Sequence, residues 1–160
     1  MVTAIDEIRR IAGAIPDPEM PALTIADLGI LRDVRMDGSG HVDVDITPTY
    51  SGCPALDVIR EDVERCIRDQ GYTDVAVRVV LSPAWTTEWM SEAGRVKLRE
   101  YGIAPPRQQQ FDLQSLKIAV ECPRCDSPRT HELAHFGSTQ CQAVRRCDAC
   151  GETFPHFKEH

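Results

Sequence analysis

The chain has 160 residues, 42% of them apolar and 27% charged, and a net charge of −7; this is globular composition, enough for one ordinary domain or one domain plus a small stapled module. Residues 1–117 carry 13 Lys/Arg against 19 Asp/Glu and residues 118–160 carry 5 against 6, so neither part has the basic excess that a phosphate backbone requires, and nucleic acid is excluded as a first partner. No apolar run approaches the ~20 residues that span a bilayer, and "MVTAIDEIRR" has acids where an export signal would be basic then apolar; the expectation is a cytoplasmic protein with no membrane partner.

"IDEIRRIAGAI" sets Ile5, Ile8, Ile11, Ala12 and Ile15 at three- and four-residue steps, which predicts an amphipathic helix. Pro16 and Pro18 stop it. "DLGILRDVRM" and "HVDVDITPT", joined by "DGSG", read as a hairpin, with Val42, Val44 and Ile46 on one face and Asp43 and Asp45 on the other. After Pro54, the residues Leu56, Ile59, Val63, Cys66 and Ile67 share one helical face, and Gly71 closes the helix. "TDVAVRVVL" predicts a third strand with Val75, Val77, Val79 and Leu81 on its buried face. "SEAGRVKLREYGI" predicts a last helix capped near Ser91, although Gly94 weakens it. Trp85 and Trp89, in the irregular stretch before it, fit either a core plug or a partner surface.

"APPRQQQFDLQSL" changes texture and predicts a linker over 105–117. Beyond it, residues 118–160 are too few to hold a core without a staple. The expected organisation is an α+β domain over 1–104, with helices on a three-stranded sheet, then the linker, then a four-cysteine zinc ribbon over 118–160.

The staple is visible in "CPRC" and "CDACG", which supply Cys122, Cys125, Cys147 and Cys150. A CxxC turn presents two sulfurs to one ion, and four thiolates suit a tetrahedral, structural Zn²⁺; they also suit iron. Arg124, Arg145 and Arg146 are placed to offset the negative charge of such a centre, and Gly151 lets the backbone curl toward the sulfurs. With a complete thiolate set, His131, His135, His156 and His160 are not needed as ligands. Cys141 is a spare thiol expected to pack inside the ribbon, and Cys66 is expected in the helix core.

Cys53, in "TYSGCPALDVI", stands where a strand pattern gives way to a helix pattern. With Pro54 suited to the first helical position, free backbone N–H groups and the helix dipole predict a lowered thiol pKa there. Thr47, Thr49, Tyr50 and Ser51 add hydroxyls, and Gly52 permits close approach. On chemistry alone, a functional thiol and a small turn-filling residue stay equally open. Asp17 and Glu19 read either as a carboxylate pair or as a solvated turn, and Asp27 reads as a loop cap or a neighbour of Cys53.

"DPEMPALTIADLGILRDV" followed by "ITPTYSGCPALDVI" resembles the small α+β family of iron–sulfur cluster assembly and targeting factors, which includes the T protein of Suf systems. "LSPAWTTEWMSEAGRVKLREYGIAPP", with "CPRC", "FGST", "RCDAC" and "FKEH", is similar to a narrower subfamily, the D proteins of bacterial phenylacetate degradation. The resemblance implies an accessory role in a phenylacetyl-CoA epoxidase system, without a catalytic centre of its own. It implies help in maturing or delivering iron–sulfur clusters to the reductase component or other pathway subunits. It places the motif thiol at Cys53, with Asp17, Glu19, Asp27, Thr49 and Ser51 in support. One thiol does not hold a cluster, which needs about four ligands. Either two chains share a cluster as a homodimer, or Cys53 holds a transient iron–sulfur cluster in passage to a client. The competing expectations are a structural or regulatory subunit with Cys53 buried, and a redox pair of Cys53 with Cys141.

Overall fold

The computed structural model describes residues 3–107 and 119–160; most of the segment read as a linker lies outside these. The chain divides into two compact units, Met1–Ser91 and Glu92–His160.

The first unit opens with helix α1, Ala4–Gly13. Thr3 caps it, its hydroxyl accepting the Asp6 N–H while the Asp6 carboxylate accepts the Thr3 N–H, which satisfies two donors that the helix start leaves over. Strands β1 (Leu31–Met36) and β2 (Val42–Ile46) form the expected antiparallel hairpin. Its turn is held by Asp37, whose Oδ1 accepts the N–H groups of Ser39 and His41. Helix α2 (Leu56–Asp69) then carries the chain to strand β3 (Val75–Val79), which lies parallel to β2 with Val44 opposite Val77. The sheet order is β1-β2-β3. Alternation puts Val42, Val44 and Ile46 on the covered face of the sheet, and they are sealed from solvent, as are Ile8 and Ala12 of α1 and Ile59, Val63 and Ile67 of α2. The opposite face carries charge: Arg35 pairs with Asp33 and Asp45, and Arg78 with Asp43 and Asp45.

The third strand departs from its pattern. Val75 is buried, but Val79 is 39% and Leu81 64% exposed. β3 is an outer strand and its ladder ends at the Ile46–Val79 pair. After it the chain leaves the sheet, tied by the Val80 N–H to Ile46 and by the Thr47 hydroxyl to the Val80 carbonyl. Alternation specifies a face, but not how far the covering helix extends over it.

The tryptophans separate into two roles. Trp85 is buried and its indole N–H donates to the Leu28 carbonyl at 2.8 Å; it is a core plug. Trp89 ends a 3-10 turn (Thr87–Trp89) and lies under the Arg32 guanidinium, 3.4 Å from the ring centre. Gly29 has φ +69°, and a Cβ there would fall 2.4 Å from the Trp89 carbonyl oxygen.

The second unit contains helix α3 (Glu92–Glu100) and an antiparallel sheet of β4 (Thr130–Ala134), β5 (Gln142–Cys147) and β6 (Thr153–Phe157), ordered β4-β5-β6. α3 forms despite Gly94, which is buried. Ala104 exchanges backbone hydrogen bonds with β6, accepting from Phe157 and donating to Pro155. The segment up to 104, read from the sequence as the close of the first domain, thus has these contacts in the second unit. Among the described residues no helix is long and apolar enough to cross a membrane.

Gly29→Ala should destabilise the first unit by about 2–4 kcal/mol, because the added methyl meets rigid backbone in a left-handed conformation. Urea unfolding followed by Trp85 fluorescence measures this.

Candidate metal centre and the Cys53 loop

The C-terminal sulfurs converge. The Sγ atoms of Cys122, Cys125, Cys147 and Cys150 all lie within 4.8 Å of one another, with Cys122–Cys150 at 3.8 Å and Cys125–Cys147 at 3.6 Å. Metal–sulfur bonds of about 2.3 Å at tetrahedral angles place sulfurs about 3.8 Å apart, so the set fits one ion. Two similar turns bring them there. The Asp126 N–H donates to the Cys122 carbonyl and the Gly151 N–H to the Cys147 carbonyl, both at 2.9 Å. The residue after each second cysteine is left-handed, Gly151 at φ +78° and Asp126 at φ +59°. Gly151 is legible in the sequence, whereas Asp126 is the missed counterpart, and its residue type is one of the few that tolerate this region.

Backbone N–H groups point at the sulfurs. The N–H of Cys150, with that of Ala149, lowers Cys147 to about 6 against the burial that opposes it. Cys125 receives the Ser127 N–H, yet burial and the three neighbouring thiols push it up to about 12. Four adjacent thiols therefore resist full ionisation until a cation joins them. Two of the three arginines expected to offset the charge have other partners: Arg124 pairs with Glu152 at 3.2 Å, and Arg145 donates to Thr130. Cys141 is buried, its Sγ 3.0 Å from the Thr139 hydroxyl, and stands outside the four-sulfur set.

Cys53 lies in the loop between β2 and α2. The helix begins at Leu56, with Ala55 as its cap, so Pro54 precedes the helix instead of opening it. The Leu56 N–H closes a turn onto the Cys53 carbonyl, and Gly52 has φ +84°. Cys53 is half-buried. Its thiol is raised, not lowered as the helix-start argument expects. Burial raises it most; the Ala55 N–H pulls the other way; the Glu19 and Asp17 carboxylates raise it again; and the Tyr50 hydroxyl lowers it. The dipole argument fails because the thiol stands outside the first turn and beside two acids that sequence spacing does not reveal.

Those acids come from the loop after α1. Asp17 is 4% exposed, its Oδ1 accepting the N–H groups of Glu19 and Met20 at 2.9 and 2.8 Å; burial raises its pKa. Glu19 is raised by burial and then by the Asp17 charge. Cys53, Asp17 and Glu19 thus form one electrostatic group. Asp27 does structural work: Oδ2 accepts the Thr24 N–H at 3.0 Å, Oδ1 is 3.3 Å from the Ser91 hydroxyl, and its carbonyl accepts the Ser91 N–H. Thr49 is buried and Ser51 exposed. Cys66 is half-buried on α2.

Comparison with known proteins adds two family matches. Residues 5–80 match a model described as an iron–sulfur cluster assembly protein, and residues 106–158 match a PaaD zinc beta ribbon domain. The chain is 46% identical over 154 residues to a protein of Escherichia coli (strain K12) named as the D component of 1,2-phenylacetyl-CoA epoxidase, covering 96% of this chain and 92% of that one. It is 33% identical to an Fe-S protein maturation auxiliary factor of Porphyromonas gingivalis (strain ATCC BAA-308 / W83), covering 58% of this chain and 89% of that one. A crystal structure of a DUF59 domain from Bacillus anthracis superposes on 59% of this chain and 90% of its own, with a TM-score of 0.55 and 28% identity.

Two outcomes follow from these sites. The purified protein should carry one thiolate-bound ion per chain, and Cys125→Ser or a strong chelator should unfold β4–β6, read by metal analysis and amide exchange. Alkylation of Cys53 should follow a pKa above that of an ordinary cysteine, and Glu19→Gln should shift the pH–rate profile downward, read by mass spectrometry of the labelled peptide.

Proposed function

This chain belongs to the family of the D components of 1,2-phenylacetyl-CoA epoxidase, and from that membership we propose that it is an accessory factor of a phenylacetyl-CoA epoxidase system that matures iron–sulfur proteins. In this reading Cys53 takes iron or a cluster in passage, Asp17 and Glu19 support it, and the four ribbon thiolates hold a structural Zn²⁺. Asp27 acts through the loop geometry, and Thr49 and Ser51 support the thiol from the same loop.

The observation that carries the reading is the charge crowding at Cys53. Burial raises all three groups, the two carboxylates make the thiol harder still to ionise, and Asp17 does the same to Glu19; this crowding is a cost to a fold that does nothing with it. A cation reverses the sign of the arrangement. Iron accepts both sulfur and carboxylate donors, so an arriving cation relieves the crowding and displaces the thiol proton. Because Cys53 is half-buried, cargo reaches it without unfolding. One thiol supplies one of the roughly four ligands a cluster needs. The others come from a second chain's Cys53 in a homodimer or from the client, which lets the cargo leave. The client we propose is the reductase component of the epoxidase, acting in the cytoplasm.

The redox alternative has little support from geometry. Cys141 is 1% exposed, and thiol–disulfide exchange requires an accessible thiolate.

Cys53→Ser should leave the ribbon's metal content unchanged while the reductase, purified from cells that rely on this variant, loses about half or more of its iron and labile sulfide. Full cluster loading of the reductase in those cells counts against maturation.

A further inference from the structure

The second unit has an open pocket of about 480 Å³ that no cysteine lines. Arg107, Arg145 and Lys158 face it together with Glu132, Glu159 and His156. Three permanent cations thus meet two carboxylates, in a chain whose net charge is −7. The carboxylates have partners. Glu159 Oε1 accepts the Arg107 Nε–H at 2.8 Å and the Arg107 backbone N–H at 3.1 Å. Glu132 Oε2 lies 3.9 Å from Arg145 Nη1. The Lys158 ammonium instead donates to the His135 carbonyl at 3.1 Å and sits 4.3 Å over the Phe136 ring. Neither contact neutralises its charge.

His156 is the unusual wall residue. It is 4% exposed, and neither ring nitrogen has a hydrogen-bond partner among the described residues. Its Nε2 is 3.6 Å from Glu159 Oε1, too long for a hydrogen bond. Glu159 thus offers Nε2 an ion pair when the ring is protonated but no hydrogen bond, and Nδ1 has no hydrogen bond among the described residues; a folded protein seldom leaves a buried imidazole so unless something else meets it. The imidazole, an unneutralised ammonium and a guanidinium all face one space whose volume suits a small metabolite better than a water cluster.

We propose that this pocket binds a small multivalent oxyanion, a phosphate- or carboxylate-bearing metabolite, through Lys158, Arg145 and the His156 ring. Anion binding draws on the positive excess of the lining, and a modest shift of the buried imidazole completes its hydrogen bonding. The site is separate from Cys53 and does not depend on the maturation reading.

The test is an NMR titration of the zinc-loaded, imidazole-labelled full chain with glycerol 3-phosphate and, separately, tricarballylate, at constant ionic strength set by chloride. The expected result is a saturable shift of the His156 ring signals, half-complete below about 1 mM for one probe, with the preferred probe distinguishing phosphate from carboxylate chemistry. Lys158→Gln should weaken that binding about tenfold while the ribbon keeps its metal. The proposal is overturned if neither probe gives a saturable shift up to about 20 mM, or if a folded Lys158→Gln protein binds as tightly as the parent. The titration of the unaltered protein decides the matter even if the variant fails to fold.

Discussion

Sulfur, as much as hydrocarbon, holds the second unit. Its buried cluster consists of Ala104, Val120, Cys122, Cys147 and Phe154, so two of the four converging thiols are also core residues. A ribbon of this size does not bury enough apolar surface to offset the entropy of ordering its chain. An ion shared by the four thiolates would crosslink two distant turns and fix the ends of the strands between them. The first unit has a larger apolar core of its own, in which Val42, Val44, Ile46, Ile59, Val63 and Ile67 are all buried.

The Cys53 loop follows the opposite logic. Folding normally pairs buried acids with cations or spreads them apart. Here Asp17 is buried with only backbone N–H groups recorded against Oδ1, and Glu19 and Cys53 crowd the same region. The raised carboxyls have a signed effect on folding: the folded state binds their protons more tightly, so their contribution is fully present below the ordinary carboxylate range and is lost as pH rises through their elevated values.

Much of this was legible in the sequence, for identifiable reasons. Period-two alternation fixed Val42, Val44 and Ile46 as core, and the CxxC spacing gave all four converging sulfurs, because both patterns depend on local geometry. The fate of Cys53 was not legible. Its helix starts at Leu56, not at Pro54, and the acids that set its chemistry arrive from a loop more than thirty residues earlier. Val79 and Leu81 failed for a related reason, since exposure at an outer strand depends on what else packs there. Trp85 and Trp89 lie four residues apart yet have different roles, decided by the Leu28 carbonyl and the Arg32 guanidinium.

That outer strand has a further consequence. Among the described residues β3 has one unpaired edge, with Val79 exposed on it, the feature by which sheets recruit stray strands and form aggregates. Arg78 sits in the middle of it, anchored across the sheet to Asp43 and Asp45. A charge held at that place makes an incoming hydrophobic strand bury a guanidinium, so the arginine acts as a gatekeeper. The ion pairs on this face therefore guard the sheet edge as well as tying the strands together.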